Sequence, residues 1–285
     1  MIRLRRPDQE PPALATARAQ HLPALRAIVL AQPSGEAQPP EKTSFEGYRE
    51  AYEGLKDVVG AKCWYCEHKL EVKYDPVEHF RPKQRASREC CKERSGYWWL
   101  AWTWRNLMLL CDDCNKAKGI WFPLAEGSVP LAPEEDPPSN EEVLMIDPCA
   151  VDPFEHLQFA EERGGTWRVR PKKGSPLGAK TIEKLGLDGV KRPGILEQFR
   201  SHVRYTVQPH VDLIRAAMDG GDRRGVVEQW DRSCRALLRG RSPYAALSFH
   251  AIDRRIPAHK RDPWRILLPQ PPWDPSVTPC VRSAL

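Results

Sequence analysis

Two stretches, Cys63-Trp64-Tyr65-Cys66 and Cys111-Asp112-Asp113-Cys114, decide the fold of this chain. In each stretch two thiols are separated by two residues, so both can reach one ion from a tight turn. Two such pairs complete a tetrahedral Zn²⁺ site, and a closed site of four thiolates contributes to folding rather than to catalysis. The spacing therefore predicts a structural zinc ion bound by Cys63, Cys66, Cys111 and Cys114.

The adjacent pair Cys90-Cys91 is an alternative to one of these knuckles. Neighbouring side chains on a strand or a helix point in divergent directions, and this choice leaves no second pair over, so the four spaced cysteines are favoured. The first six residues are charged, and no apolar stretch of signal-peptide or membrane-span length follows them. We therefore expect a cytoplasmic protein with no membrane association, in which paired cysteines bind metal rather than form disulfides.

The composition of the 285 residues permits a nucleic-acid partner without proving one. The formal charge of +6 and the isoelectric point near 8.8 are only mildly basic. The 10 Trp residues supply bulky core anchors, and the 28 Pro residues indicate many connecting segments around that core. We expect one composite domain with irregular ends.

Hydrophobic periodicity predicts an α+β fold, mainly α, in three regions. Region 1–60 is predicted to be an N-terminal arm with a short helix at 21–31, followed by a helix that Thr43 and Glu46 cap. Region 61–125 contains both cysteine pairs. Region 126–285 is predicted to be an acidic linker and a helical part that packs on the core, with a strand at 167–170 and helices at 179–185, 193–218 and 222–238.

A third motif lies between the two cysteine pairs and reads Val77-Glu78-His79-Phe80-Arg81-Pro82-Lys83. It places a carboxylate next to an imidazole and adds two cations. Taken alone, the motif fits a surface Glu-His pair beside a zinc knuckle. Two amides change that interpretation, because Asn106 lies five residues before the second cysteine pair and Asn115 directly follows it.

His79, Asn106 and Asn115, spaced in this way between two Cys pairs, resemble the HNH endonuclease family. The resemblance implies a ββα-metal core with Glu78 and His79 on the first strand or its turn, Asn106 at the turn before the second strand, and Asn115 on the following helix. Asn is a common variant of the third family position. Glu78 stands where Asp is commoner, and the longer carboxylate can still reach a metal. The implied fold is an HNH core with a four-Cys zinc site, embedded in N-terminal and C-terminal helices.

The chemistry of phosphodiester hydrolysis assigns a role to each of these residues. The reaction needs an activated water, neutralised phosphate charge and help for the departing 3′ oxygen. His79 is the candidate general base, because an imidazole can accept a proton at neutral pH. Glu78 and Asn115 are the candidate ligands of a catalytic Mg²⁺ or Mn²⁺. By family resemblance, Asn106 orients the loop that aims His79.

Three cations near the motif, Arg81, Lys83 and Lys118, are candidate contacts to nucleic-acid phosphates. The competing interpretation of residues 81–94 is a solvated basic loop, since runs of charge are usually that. The apolar run 97–104 is predicted to be buried core rather than a base-stacking platform. His68 is predicted not to be a zinc ligand, and His156 to be a packing residue.

Further runs of the chain resemble the HNH component of Septu-type antiphage defence systems, relatives of which accompany some retrons. They include Cys63-Trp64-Tyr65-Cys66-Glu67, Tyr97-Trp98-Trp99-Leu100 and Ile146-Asp147-Pro148. This resemblance implies a protein partner, an ABC or SMC-like ATPase. The leading hypothesis is DNA cleavage as the effector of such a complex. RNA, for instance a tRNA, is the alternative substrate, and a non-catalytic zinc module that only binds nucleic acid or a partner is the alternative of another class.

Overall fold

The structure of the protein, a computed structural model, describes residues 1–32, 45–71, 76–88, 91–137 and 140–270. Within these ranges the chain is mainly helical, and its strands form two-stranded antiparallel sheets. The predicted α+β class with mainly helical content is therefore confirmed. Contacts between residues divide the chain into two compact units: a first unit, Arg6–Trp64 with Lys69–Asp147, and a second unit, Met1–Arg5 with Tyr65–His68 and the chain from Pro148 onward.

Within the described residues, the first unit contains one long-range strand pairing, one pairing of strands adjacent in sequence, and three α-helices. Its helices and strands are α1 Pro12–Leu30, α2 Tyr52–Val59, β1 Val77–His79, β2 Arg85–Arg88, β3 Cys91–Ser95, β4 Leu107–Leu109 and α3 Asp112–Lys118. β1 pairs with β4 in the register Val77↔Leu109, Glu78↔Met108 and His79↔Leu107. Two residues, Leu110 and Cys111, separate β4 from α3, so the helix directly follows the sheet along the chain.

The aromatic run after β3 forms the core of the first unit, as predicted. The residues Tyr97, Trp98, Trp99, Leu100, Ala101, Trp102 and Trp104 are all buried. Their indole N–H groups are satisfied by distant backbone: Trp102 donates to the Glu46 carbonyl at 2.6 Å and Trp104 to the Pro7 carbonyl at 2.8 Å. A buried indole usually finds such a partner. The run is therefore a packing element, and its rings are not available for stacking on bases.

Three predictions for the first unit need correction or fall outside the described residues. The helix expected at 21–31 is longer, because Pro12 is well suited to the first helical turn and α1 tolerates Pro23 in its interior. The basic segment 81–94, for which a solvated loop is the competing interpretation, includes β2 and most of β3, and these two strands pair antiparallel. Thr43 of the expected capping box lies outside the described residues, as does Cys90.

The second unit is a small sheet with helices. Its elements are α4 Pro153–His156, β5 Leu157–Glu161, β6 Trp167–Pro171, α5 Pro176–Leu185, α6 Pro193–His202, α7 Gln208–Asp219, α8 Arg223–Leu237, α9 Ala245–Arg255 and α10 Ala258–Arg261. The predicted strand β6 and helices α5 to α8 are confirmed, with a π-helical turn, Val203–Val207, joining α6 to α7. Gly186 ends α5 in a left-handed conformation with φ of +62°. Among the described residues, no helix has the length and apolarity that crossing a membrane requires.

Sequence periodicity missed α9. Nearly every residue of its first two turns is buried, including Leu247, Ser248 and Phe249, so the helix lacks the polar stripe by which an amphipathic helix is recognised. Its N-cap, Tyr244, has a positive φ and makes no side-chain cap bond. The two signals that mark a helix in a sequence are therefore both absent here.

Candidate active site and metal centre

The four predicted zinc ligands come together in one cluster. The Sγ atoms of Cys63, Cys66, Cys111 and Cys114 all lie within 4.8 Å of one another. Ideal Zn–S bonds of ~2.3 Å in a tetrahedron put neighbouring sulfurs roughly 3.8 Å apart, so the cluster fits one zinc ion with small adjustments. Three of the four thiols are buried and Cys111 is half-buried. This cluster can hold a metal ion such as zinc.

Local backbone structure explains how the two cysteine pairs meet. The Trp64 N–H donates to the Leu109 carbonyl at 2.8 Å, which ties the first knuckle to the end of β4. The second knuckle starts at Cys111, the N-cap residue of α3, and its carbonyl accepts from the Asn115 N–H at 2.9 Å. The helix that carries Cys114 therefore also carries Asn115, the candidate metal-binding amide.

His79 is the last residue of β1 and is almost completely buried, with 1% of its surface exposed. Its Nε2 lies 2.9 Å from the Ala101 carbonyl oxygen, which can only accept a hydrogen bond. Nε2 must therefore carry the proton in this arrangement, and Nδ1 is left as the acceptor nitrogen of a neutral ring. The Lys83 Nζ lies 3.4 Å from this Nδ1.

Electrostatics keeps the His79 ring neutral. Burial, followed by the positive charge of Lys83, holds the pKa of His79 well below its ordinary value of 6.5, although the bond to the Ala101 carbonyl opposes the shift. A neutral imidazole with one nitrogen fixed as donor is the form that accepts a proton at neutral pH. The tautomer, with Nδ1 as acceptor, is the one that a general base requires, whereas the lowered pKa makes this ring a weaker base than a solvated imidazole.

Asn106 connects the two chain segments that flank His79. Its Oδ1 accepts from the Arg81 N–H at 2.8 Å, and its Nδ2 donates to the carbonyls of Arg81 at 3.0 Å and Leu100 at 3.1 Å. Leu100 precedes Ala101, whose carbonyl binds the His79 ring. The side chain is buried. One amide thus fixes both the loop after β1 and the turn that fixes the orientation of the imidazole.

Glu78 faces α3. The Lys118 ammonium, at the end of that helix, is fully buried and lies 3.3 Å from the Glu78 carboxylate, which is 18% exposed. Burial lowers the pKa of Lys118, and the Glu78 carboxylate partly opposes this shift. Asn115 precedes Lys118 by three residues, a spacing that places both on one face of a helix. A carboxylate and an amide oxygen are hard donors of the kind that Mg²⁺ and Mn²⁺ prefer.

The three predicted phosphate contacts differ in their surroundings. Arg81 donates from Nε to the fully buried Glu141 carboxylate at 2.9 Å, and Glu141 also accepts from the Tyr97 hydroxyl and the Leu131 N–H. This network does not favour the phosphate role expected of Arg81. Lys118 is buried against Glu78, as described above. Lys83, placed beside the acceptor nitrogen of His79, is the cation best situated to meet a phosphate.

Arg6 is a supporting residue that the sequence analysis missed. Its guanidinium lies over the rings of Trp64 and Trp104 at 5.1 and 5.4 Å. It donates to the carbonyls of Trp104 at 2.6 Å and Leu107 at 2.7 Å, on either side of Asn106. Glu141 was missed as well, because the acidic segment that contains it has the composition of a solvated loop. An arginine near the amino terminus carries no local signal of such a contact.

Two histidines outside this site have ordinary hydrogen-bond partners. His68 Nδ1 lies 2.7 Å from the Tyr244 hydroxyl, and His156 Nδ1 lies 2.9 Å from the Ser175 hydroxyl. Ser175 is the N-cap of α5. These contacts agree with the prediction that His68 is not a zinc ligand and that His156 is a packing residue.

Comparison with known proteins finds similarity to two proteins named PtuB. The chain is 39% identical over 153 residues to Septu protein PtuB of Bacillus mycoides (strain KBAB4), an alignment covering 51% of this chain and 50% of the relative. The chain resembles PtuB. A second protein named PtuB, from Bacillus thuringiensis, is 36% identical over 97 residues, or 33% of this chain and 32% of the relative. The chain thus spans about half the length of PtuB of B. mycoides, and less of the second.

A protein with a different name also matches. Septu protein PtuA of the same Bacillus mycoides strain is 25% identical over 151 residues, which covers 52% of this chain and 20% of PtuA. No protein-family model matches the chain, and no solved structure matches it. The resemblance to Septu proteins therefore comes from sequence, whereas the arrangement of the site comes from the fold described above.

Proposed function

We propose that this protein is an HNH endonuclease that hydrolyses phosphodiester bonds of DNA with the help of a divalent metal, as the effector of a Septu-type antiphage defence complex. One observation carries the proposal: His79 ends β1 as a neutral ring whose Nε2 is bound to the Ala101 carbonyl and whose Nδ1 can accept a proton. The sequence β1, β4 and α3, with Asn106 between the strands, supports a ββα core. The similarity to PtuB supports the defence context.

In the proposed reaction His79 accepts the proton of the attacking water at Nδ1. The O–H bond of the water breaks as its oxygen attacks phosphorus, and the bond from phosphorus to the 3′ oxygen breaks in turn. The Ala101 carbonyl stabilises the imidazolium that forms, because Nε2 keeps its proton and its hydrogen bond throughout. Asn106 is a positioning residue that keeps this carbonyl and the loop after β1 in register.

Glu78 and Asn115 are the proposed ligands of Mg²⁺ or Mn²⁺. When bound, such an ion supplies positive charge to the phosphate and to the departing 3′ oxygen. Lys83 is the proposed phosphate contact on the side of the base. Arg81 supports the loop through Glu141, and Lys118 neutralises the Glu78 carboxylate in the absence of metal. The four-cysteine cluster is the proposed site of structural zinc. The ion would hold the first knuckle, which is hydrogen-bonded to the end of β4, against the second knuckle at the start of α3.

The proposed complex includes an ATPase of the ABC or SMC-like type. Similarity to proteins named PtuA and PtuB supports a system of more than one component. Co-purification of this chain with the product of a neighbouring ATPase gene tests the assignment. A chain that elutes alone at micromolar concentrations, with the ATPase present in excess, argues against the complex.

The proposed activity is tested by incubating purified protein with DNA and with RNA, each with Mg²⁺, with Mn²⁺ and with EDTA. His79→Ala should lower the cleavage rate by about 10² to 10⁴-fold, the usual contribution of a general base. His259→Ala is the matched control, because His259 is exposed on α10. Thermal melting of both variants separates loss of catalysis from loss of folding.

The outcomes of these assays distinguish the proposed mechanism from its alternatives. Cleavage by His79→Ala at the parent rate would refute the mechanism. Cleavage of RNA alone would assign RNA as the substrate. Absence of cleavage by the parent protein, together with nucleic-acid binding that Glu78→Ala and Asn115→Ala leave unchanged, would favour a non-catalytic zinc module.

A further inference from the structure

Tyr48 lies beneath both His79 and Lys83, although it belongs to neither cysteine knuckle nor to the motif around the base. We infer that Tyr48 is a positioning residue that holds the Lys83 ammonium beside the acceptor nitrogen of His79. This inference rests on the proposed function. It adds to the site a residue from the segment before α2, which the sequence pattern predicts only as part of the helix capped by Thr43 and Glu46.

Tight packing against α1 fixes where Tyr48 sits. Gly47 has a φ of +81°, and a Cβ built on it would lie 2.7 Å from the Cβ of Ala17 in α1. Such a left-handed residue in close contact with a helix favours glycine. A short 3₁₀ turn, Tyr48–Ala51, begins at the next residue. The chain therefore turns sharply at Gly47 and delivers the Tyr48 ring, 7% exposed, to the end of β1.

The ring contacts the base and the cation at once. The centroids of the Tyr48 and His79 rings are 4.6 Å apart with an interplanar angle of 58°. The Lys83 Nζ lies 4.5 Å from the Tyr48 ring centroid and 5.6 Å from that of Phe45. Arg49 also lies over the Tyr48 ring, at 5.0 Å. An ammonium over an aromatic face is attracted by the negative charge of that face.

This attraction matters because a lysine side chain has many rotamers. The contact with the ring offsets part of the rotamer entropy that the Lys83 side chain loses when its ammonium is held in one place. The Tyr48 face keeps it 3.4 Å from His79 Nδ1, where an attacking water and a phosphate would meet. The contacts with His79 and Lys83 are made by the aromatic ring, which phenylalanine shares, so phenylalanine should replace tyrosine in this role.

A double-mutant cycle tests the inference. Single-turnover cleavage of DNA is measured for Tyr48→Phe and Tyr48→Leu, each alone and combined with Lys83→Met. We expect Tyr48→Phe to stay within about twofold of the parent and Tyr48→Leu to lose about tenfold, as for a lost cation–π contact in a partly desolvated site. In the Lys83→Met background, Tyr48→Leu should cost little more. An equal loss in both backgrounds would overturn the inference, because the ring would then act only through packing.

A second measurement does not depend on activity. The ε-methylene protons of Lys83 lie near the face of the Tyr48 ring and should resonate upfield of free lysine in spectra of the ¹³C-lysine-labelled full chain, with Lys83→Met providing the assignment. Tyr48→Phe should keep this shift and Tyr48→Leu should lose it. Unshifted signals in the folded parent would overturn the inference. The expected shifts in a parent that cleaves neither DNA nor RNA would support the positioning of Lys83 and refute the proposed nuclease function.

Discussion

Removal of the Lys118 charge should tighten the binding of a divalent metal at Glu78. The Lys118 ammonium is fully buried and 3.3 Å from the Glu78 carboxylate, so it neutralises this carboxylate within the protein. An ion bound to that oxygen at ~2.1 Å would lie at most about 5.4 Å from the ammonium. At an effective dielectric constant of ~20, a double and a single positive charge at that distance repel by roughly 6 kcal/mol.

The measurable effect is smaller than this repulsion. The side chain can shift, and metal binding also costs the attraction between Lys118 and Glu78. We therefore expect Lys118→Met, which keeps the length and apolar stem of lysine, to strengthen Mn²⁺ binding by about 10 to 100-fold, or about 1.4 to 2.7 kcal/mol. Without metal the same variant should be less stable than the parent, because the partly buried Glu78 carboxylate loses its counter-charge.

Isothermal titration with Mn²⁺ and thermal melting with and without the ion measure both effects on zinc-replete protein. Lys116→Met is the matched control, since Lys116 lies on the same helix but is 75% exposed and pairs with Asp112. Glu78→Gln should abolish the site. Unchanged or weaker Mn²⁺ binding by Lys118→Met would refute the reasoning and show that Lys118 orients Glu78 for the metal rather than competing with it.

Three further predictions concern stability. Cys63→Ser should lower zinc content and melting temperature together, whereas Cys149→Ser, outside the cluster, should keep both; full zinc content in Cys63→Ser contradicts this. Glu141→Ala should lower the free energy of unfolding, measured by urea titration, by about 3 to 5 kcal/mol, because the largely buried Arg81 guanidinium loses its carboxylate partner. Glu142→Ala should cost little, because Glu142 is exposed. Equal losses in the two variants would argue against the network. Burial lowers the pKa of His202 from 6.5 to about 4. The stabilising contribution of the neutral ring is therefore present above pH 6.5 and is lost, by up to about 3 kcal/mol, as pH falls towards 4. His202→Gln should reduce this pH dependence of stability, and a variant with the parent's pH profile would disprove the assignment.

The parts of this structure that the sequence predicted are those encoded over short distances. A Cys-x-x-Cys spacing fixes its own geometry, so the thiols of Cys63 and Cys66 can be assigned to one ion without knowledge of the fold. Helices such as α8 show an apolar stripe, and its buried members include Trp230 and Cys234. In these cases the physical cause and the sequence pattern occupy the same few residues.

The supports of the site are encoded differently. Arg81 meets Glu141 across 60 positions of sequence, and Arg6 meets the Trp104 carbonyl across 98. Neither Glu141 nor Arg6 differs in residue type from the solvated charged residues around it in the sequence. The composition of the acidic linker predicts a solvated loop, although Glu141 is buried, and the position of Lys118 predicts a phosphate contact, although its ammonium is buried against Glu78. Only the packed fold shows which charges of a run have found a partner and left the solvent.

The burial of His79 sets a condition on the proposed reaction. A base that is 1% exposed cannot take its proton from bulk water, and the Lys83 ammonium lies next to its Nδ1. A phosphate arriving at the site would attract that ammonium more strongly than a neutral imidazole does, because it carries a full negative charge. A shift of the Lys83 ammonium towards the phosphate, while it stays over the Tyr48 ring, would then leave Nδ1 open to the attacking water. The contact that shields the base in the resting protein is thus the contact that substrate binding would release, which links proton acceptance to the presence of a phosphodiester.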